Sequence, residues 1–314
     1  MRTASNVIAS RRITRPSFGQ RQALPPGLLL GALGVLGFSV SLPATRLAVA
    51  DLDPWLVAFG RAVVAGVLSA GVLVITRALR PTPEQLRSLV LVALGVVVGF
   101  PLMTSLALQR LPAAHGAVVV GVLPAATAIA AVLRAGERPA ARFWAASATG
   151  LAAVLGFALS QGGGGPGLPD LELLVAVVLC ALGYAEGGRL SRELGGARTI
   201  CWALVISLPA TTVIAVAALA SSGAHAGVKA WLGFSYVSLI SMFLAFFAWY
   251  AGLARGGVAK IGQVQLAQPV LSLAWAALIL GEHISAATVA AAAAVLACVV
   301  ATQRTLVAGP APPP

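Results

Sequence analysis

Residues 124–137 read PAATAIAAVLRAGE and residues 269–282 read PVLSLAWAALILGE. Each stretch opens on a proline and closes on Gly-Glu, and the two are 145 residues apart. At the same offset Leu108 and Arg110 fall on Leu253 and Arg255. Alanine on alanine means nothing in so Ala-rich a chain, but Pro124 on Pro269 and Gly136-Glu137 on Gly281-Glu282 do. The chain therefore carries two copies of one unit.

The surrounding composition places both copies in a membrane. Of 314 residues 59% are hydrophobic and 10% charged, and the mean hydropathy is +0.94. A soluble globular domain carries about 25% charge. Spanning a bilayer takes about 20 mainly apolar residues, and ten such windows fit, at about 27–50, 54–76, 86–109, 114–134, 142–160, 171–191, 198–220, 231–254, 258–281 and 284–303. Turn and charge signals separate them: Asp51-Leu52-Asp53-Pro54, Arg80-Pro81-Thr82-Pro83, Arg110-Leu111-Pro112 and Gly136-Glu137-Arg138-Pro139. The expected fold is an all-α polytopic membrane protein of ten transmembrane helices. Its parts are a basic cytoplasmic tail (1–26), a first five-helix repeat (27–160), a Gly-rich outer linker (161–170), a second five-helix repeat (171–305) and a C-terminal tail (306–314). The basic start and Ala48-Val49-Ala50 mimic a signal peptide. The apolar run ahead of it, about 24 residues, exceeds a signal core of 7–15.

Five spans per copy is an odd number, so the second copy enters the membrane in the opposite sense. With both termini cytoplasmic, 17 of the 21 Lys and Arg fall on the cytoplasmic side. That is the positive-inside pattern. The net charge of +12 is then a topology signal that favours anionic lipid and gives no reason to expect nucleic acid. Inverted repeats that meet at the bilayer midplane are a transporter signature.

Each half resembles an EamA-type domain of the drug/metabolite transporter superfamily. The resemblance rests on Ala107-Leu108-Gln109-Arg110, Pro124 and Leu133-Arg134-Ala135-Gly136-Glu137 in the first half. In the second it rests on Pro269-Val270 and Leu278-Ile279-Leu280-Gly281-Glu282, with Tyr184 and Arg189 on helix 6. It covers about 27–305 and implies a central cavity between the halves, alternating access and outward movement of small metabolites. It also implies a bacterial inner (plasma) membrane. Within the superfamily the chain is most similar to the amino-acid exporters, although helix 4 lacks the usual mid-helix Trp or Tyr.

Polar side chains deep in a span face a cavity or another helix. Gln265, Gln268, Ser272 and Trp275 follow an i, i+3, i+7, i+10 spacing and share one face of helix 9. Their repeat mates are Val120, Leu123, Thr127 and Ala130. A polar face opposite an apolar one suits an amphipathic substrate, while a hydrogen-bonded helix seam would use the same residue types. Leu123, Tyr184, Met103, Thr104, Trp249 and Tyr250 complete the candidate substrate residues. Arg46, Arg61, Glu186 and Arg189 are gate or ion-pair candidates. The two outer arginines are expected to snorkel or to pair with Asp51 or Asp53, the alternative being an outer gate or carboxylate site. Glu186 and Arg189 are spaced as an i,i+3 pair.

Cys180, Cys201 and Cys298 lie in apolar segments, so no metal or disulfide framework is expected, and no cofactor. An HExxH or GxSxG pattern is missing from the sequence, which argues against a membrane-embedded enzyme. The reading is a multi-pass exporter of small amphipathic metabolites, most simply amino acids. Nucleotide-sugar or other metabolite carriage is the alternative.

Overall fold

A computed structural model describes residues 26–135, 141–161, 167–256, 261 and 264–307. Gly136-Glu137 and the Gly-rich stretch 162–166 lie outside the described residues. Among the described residues every regular element is helical. Seven helices are long and apolar enough to cross a membrane: α1 (Pro26–Ala48), α2 (Pro54–Ile75), α3 (Pro83–Leu108), α4 (Ala113–Arg134), α6 (Leu168–Leu194), α7 (Gly196–Ser222) and α8 (Val228–Gly256). Three further apolar helices are α5 (Ala141–Gln161), α9 (Ala267–Leu280) and α10 (Ala286–Val307).

The punctuation read from sequence acts through capping. Asp53 Oδ1 accepts from the amides of Trp55 and Leu56 at 2.9 and 3.1 Å, with Pro54 as the first helical residue of α2. Thr82 and Gln85 form a reciprocal capping box ahead of Pro83 on α3. Both devices satisfy amide donors that a helix start leaves open.

The packing follows the repeat. Shifting by five helices exchanges α1 with α6, α2 with α7, α3 with α8, α4 with α9 and α5 with α10. The α2–α7, α5–α10 and α4–α9 contacts each map onto themselves. The α1–α8 contact maps onto α3–α6, and α4–α6 maps onto α1–α9. The backbone irregularities repeat as well. A π-helical segment occupies Ala93–Gly99 in α3 and another occupies Val237–Leu244 in α8, one residue from the 145-residue offset. The helix also breaks into turns at Gly121-Val122, ahead of Pro124, and at Gln265-Leu266, ahead of Pro269. This second break divides the ninth span: among the described residues the helix is interrupted at Gln265-Leu266 and resumes at Ala267. The physical reason is Pro269, which cannot donate to the Gln265 carbonyl; that oxygen accepts instead from the Gln268 amide at 3.0 Å.

Small residues let α1 and α8 approach. A β-carbon on Gly252 would stand 2.7 Å from the Gly31 amide nitrogen, and one on Gly27 2.8 Å from that of Gly256. Such close backbone contact is the usual driving arrangement where water provides no hydrophobic force between helices. Gly252→Ala should therefore force the two helices apart and lower stability by about 1–3 kcal/mol. Gly71→Ala is the matched control, since a β-carbon there meets nothing within 4 Å. A melting-temperature drop for the first and none for the second, in detergent-purified protein, is the expected outcome.

Candidate functional site

Two small cavities lie where α4 and α9 cross, between the two helix breaks. One, of ≈ 10 Å³, is enclosed by Val120, Gly121, Pro124, Gln265, Pro269 and Ser272 among others. The other, of ≈ 20 Å³, is bounded by Phe38, Ser41, Arg61, Tyr184, Ser241 and Phe246 among others. Leu42, Leu123 and Gln268 border both. Each has room for little more than one water molecule. Among the described residues neither cavity has room for a metabolite.

The breaks bring the two halves into contact here. A β-carbon on Gly121 would stand 3.3 Å from Pro269 Cγ, so the broken turn of α4 rests on the proline of α9. Gln265 and Gln268 are buried against this crossing. Both side-chain polar atoms of Gln265 and the Oε1 of Gln268 have no hydrogen-bond partner. Leaving buried polar atoms unmade costs about 1–3 kcal/mol each, which marks them as groups held ready for something else.

Ser272 and Trp275, further along the same face, behave differently. Pro43 has no amide proton to give the carbonyl four residues earlier, that of Ser39. Ser272 Oγ donates to that carbonyl at 2.7 Å, and Trp275 Nε1 donates to Ser39 Oγ at 3.0 Å. The expected polar face of helix 9 is therefore divided. The glutamines face the centre unpaired, whereas Ser272 and Trp275 bind α9 to the broken turn of α1.

The remaining candidates divide likewise. Leu123 and Tyr184 line the centre. Tyr184 stands in an aromatic cluster with Phe38, Phe246 and Trp249, with centroid separations of 5.5–6.3 Å from its own ring. Trp249, within that cluster, and Tyr250 border neither cavity; the Tyr250 hydroxyl donates to the Gly183 carbonyl at 3.4 Å. Met103 and Thr104 are not brought to the centre either. The Thr104 hydroxyl returns to its own helix, to the Phe100 carbonyl at 2.7 Å.

Arg61 neither snorkels nor pairs with Asp51 or Asp53, correcting the expectation from sequence. Asp53 is occupied as the cap of α2, and Asp51 accepts from the Gly227 amide at 2.9 Å. Arg61 is instead 2% exposed and points inward, its Nη2 donating to Ser241 Oγ at 3.1 Å. Arg46 is half-buried and makes no ion pair among the described residues. Glu186 is paired with Arg189 at 2.8 Å, as the spacing predicts, and also with Arg134 from α4 at 2.9 Å. Arg189 reaches further to Ser88 and Glu193.

The opposite end of α4 is held by Glu282, whose carboxylate accepts from the Ala113 and Ala114 amides, both at 2.8 Å. A carboxylate at a helix N-terminus also meets the positive end of the helix dipole. Beside it His115 and Asp170 are hydrogen-bonded at 2.7 Å. Packing also brings Ser39, Ser41 and Ser241 to the centre. The signal for Ser39 was Pro43, four residues on; nothing local marks Ser241.

A larger cavity of ≈ 570 Å³ opens between α4, α5 and α6, but its lining is apolar except for Ser147. It has none of the convergent polar groups of a metabolite site.

The EamA-like transporter family matches the chain twice, over residues 25–159 and 168–302. The chain belongs to this family. It is thus a membrane transporter of the drug/metabolite transporter superfamily. It is 51% identical over 278 residues to the "Uncharacterized transporter YdeK" of Bacillus subtilis (strain 168), covering 88% of this chain and 97% of that protein. A solved crystal structure shares the fold at TM-score 0.61 and 19% identity, covering 89% of this chain and 99% of its own. Both copies of the family unit begin and end close to the repeat read from Pro124 and Pro269.

The divided face of helix 9 leads to opposite stability effects. Ser272→Ala should leave the Ser39 carbonyl unpaired and cost about 1–3 kcal/mol. Gln265→Leu removes two unmet polar atoms and should leave the melting temperature unchanged or raised. Thermal unfolding of the two purified variants beside wild type checks this.

Proposed function

We propose that the protein exports small amphipathic metabolites, most simply amino acids, by alternating access through the centre where α4 and α9 cross. In this reading ten helices span a bacterial inner membrane as two inverted repeats, with both termini cytoplasmic, and lipid surrounds the apolar flanks. The observation that supports it is the asymmetric lining of a symmetric scaffold. Gln265 and Gln268 lie unpaired at the centre, and their repeat mates there are Val120 and Leu123. A polar wall and an apolar wall related by the repeat suit a substrate with one polar and one apolar end.

The closed centre also fits a carrier more closely than a channel. Ligand sites span about 300–1,000 Å³, so admitting a metabolite requires the halves to separate on one side. Among the described residues ties exist at both ends of α4, through Glu282 and through Arg134–Glu186. Releasing one while keeping the other would open the centre to one side at a time.

Counterflow in proteoliposomes with radiolabelled amino acids and nucleotide sugars tests the substrate class. Uptake of amino acids alone is expected, and uptake confined to nucleotide sugars would replace this reading by the alternative. Gln268→Ala should weaken apparent affinity by about tenfold, the loss of one or two hydrogen bonds, with the melting temperature preserved. Orientation is tested separately in a chain whose three cysteines are replaced by alanine. A maleimide should label Ser222→Cys from outside intact cells and Arg192→Cys only after permeabilisation.

A further inference from the structure

Among the described residues that line the two cavities Arg61 is the charged one, and the scaffold itself does not explain its presence. It is 2% exposed on α2, its Nε has no hydrogen-bond partner, and among the described residues no carboxylate lies within 4 Å of it. Its polar contact among the described residues is Ser241 Oγ, which is itself hydrogen-bonded to Ser41 Oγ at 2.7 Å. A buried cation without a counter-ion is strongly unfavourable, and apolar residues of similar size relieve the cost. The repeat supplies that comparison within the chain. The mate of Arg61 at the 145-residue offset is Ile206, in the α7 helix that packs on α2. The fold accommodates an apolar side chain at this place, so helix packing alone gives no reason for the charge.

The guanidinium borders the central cavity with Tyr184 and Gln268. Arginine presents planar paired donors that match a carboxylate in a bidentate grip. We infer that Arg61, with Ser41 and Ser241, forms the subsite for the carboxylate of a monoanionic substrate, and that Gln268 lies on the route from it to the second cavity. One guanidinium charge neutralises one carboxylate, so the class is the monocarboxylate, zwitterionic amino acids included, rather than a phosphorylated metabolite. The inference deepens the proposed export reading, but binding can be measured without transport.

Thermal unfolding of purified full-length protein gives that measurement. The probes are leucine, phenylalanine and phenylacetate, each against its neutral or decarboxylated counterpart (leucinamide, phenylalaninamide, phenylacetamide), with inorganic phosphate as a further arm, all at constant ionic strength. At least one carboxylate should raise the wild-type melting temperature saturably, and its amide should not. Arg61→Met should unfold at a higher temperature than wild type without ligand, and should show an apparent affinity for that carboxylate at least tenfold weaker. Arg61→Lys, keeping charge but losing the planar fork, should bind with intermediate strength. An equal response to the amide would overturn the inference. So would an undiminished response in Arg61→Met, a response to phosphate only, or no wild-type response to any carboxylate. Counterflow that proceeds in wild type with an unchanged KM in Arg61→Met would sink this subsite while leaving the carrier reading standing. Carboxylate binding without counterflow would do the reverse.

Discussion

A proline in the hydrocarbon layer leaves the carbonyl four residues earlier without a donor, and no water is present to replace it. This chain places prolines at 43, 124 and 269 inside apolar helices, and its centre is built from the repairs. The Ser39 carbonyl, freed by Pro43, accepts from Ser272 on α9. The Gln265 carbonyl, freed by Pro269, accepts from Gln268 through a tightened turn. The same turn interrupts the helix ahead of Ala267 and places both glutamine side chains against the broken turn of α4. Remove the prolines and α1, α4 and α9 would run as continuous helices, with no reason for two glutamines to lie buried between them.

Symmetry belongs to the backbone, and asymmetry to the side chains. The π-helical segments and the turns ahead of Pro124 and Pro269 recur one repeat later to within a residue, because both halves must bend at the same depth. Four polar residues at the centre do not recur. Ser241, Gln265, Gln268 and Arg61 have Val96, Val120, Leu123 and Ile206 as mates. Of these mates Val96, Val120 and Leu123 also border the central cavities, so the repeat axis relates a polar wall to an apolar one. Under the alternating-access reading the duplicated scaffold supplies two mirrored halves, and divergence of the lining supplies a site that distinguishes the ends of a substrate.

Much of this is legible in the sequence alone. Span positions follow from apolar length, and the caps at Asp53 and Thr82 follow from residue type next to Pro. The Glu186–Arg189 pair follows from helical spacing, and the repeat from Pro124, Pro269 and the two Gly-Glu pairs. What stayed hidden depends on partners far away in sequence. Ser272 and Gln268 look equivalent on a helical wheel. One is scaffold because Pro43, more than two hundred residues earlier, exposes a carbonyl exactly where its hydroxyl points. Arg61 sits within about two turns of a helix end, where long basic side chains ordinarily reach water. Only the packing of α8 against α2 turns it inward to Ser241. The π-helical segments carry no local mark at all, since Val, Leu, Ile and Gly suit an ordinary helix equally well.

The helix that both ends of the molecule grip is α4. Its first amides are held by the Glu282 carboxylate from beyond α9, and its last turn is held by Arg134 on Glu186 of α6. The two ties differ in kind. Glu282 bonds backbone amides and the helix dipole, so its hold depends on the end-on placement of α4 and on no other side chain. Glu186 is buried beneath two arginines whose side chains are about half exposed, one of them also bound to Ser88 and Glu193. Water can reach and loosen the arginine side of that network, whereas the amides of α4 can be freed only by moving the helix or the loop after α9. Under the alternating-access reading this makes opening at the Glu282 end a rigid-body motion of α4 against α9. Opening at the Glu186 end can begin with side-chain exchange. Between these ends, at the crossing of the two broken turns, lie Gln265 and Gln268, so any tilt of α4 about Pro124 changes the space beside both glutamines directly.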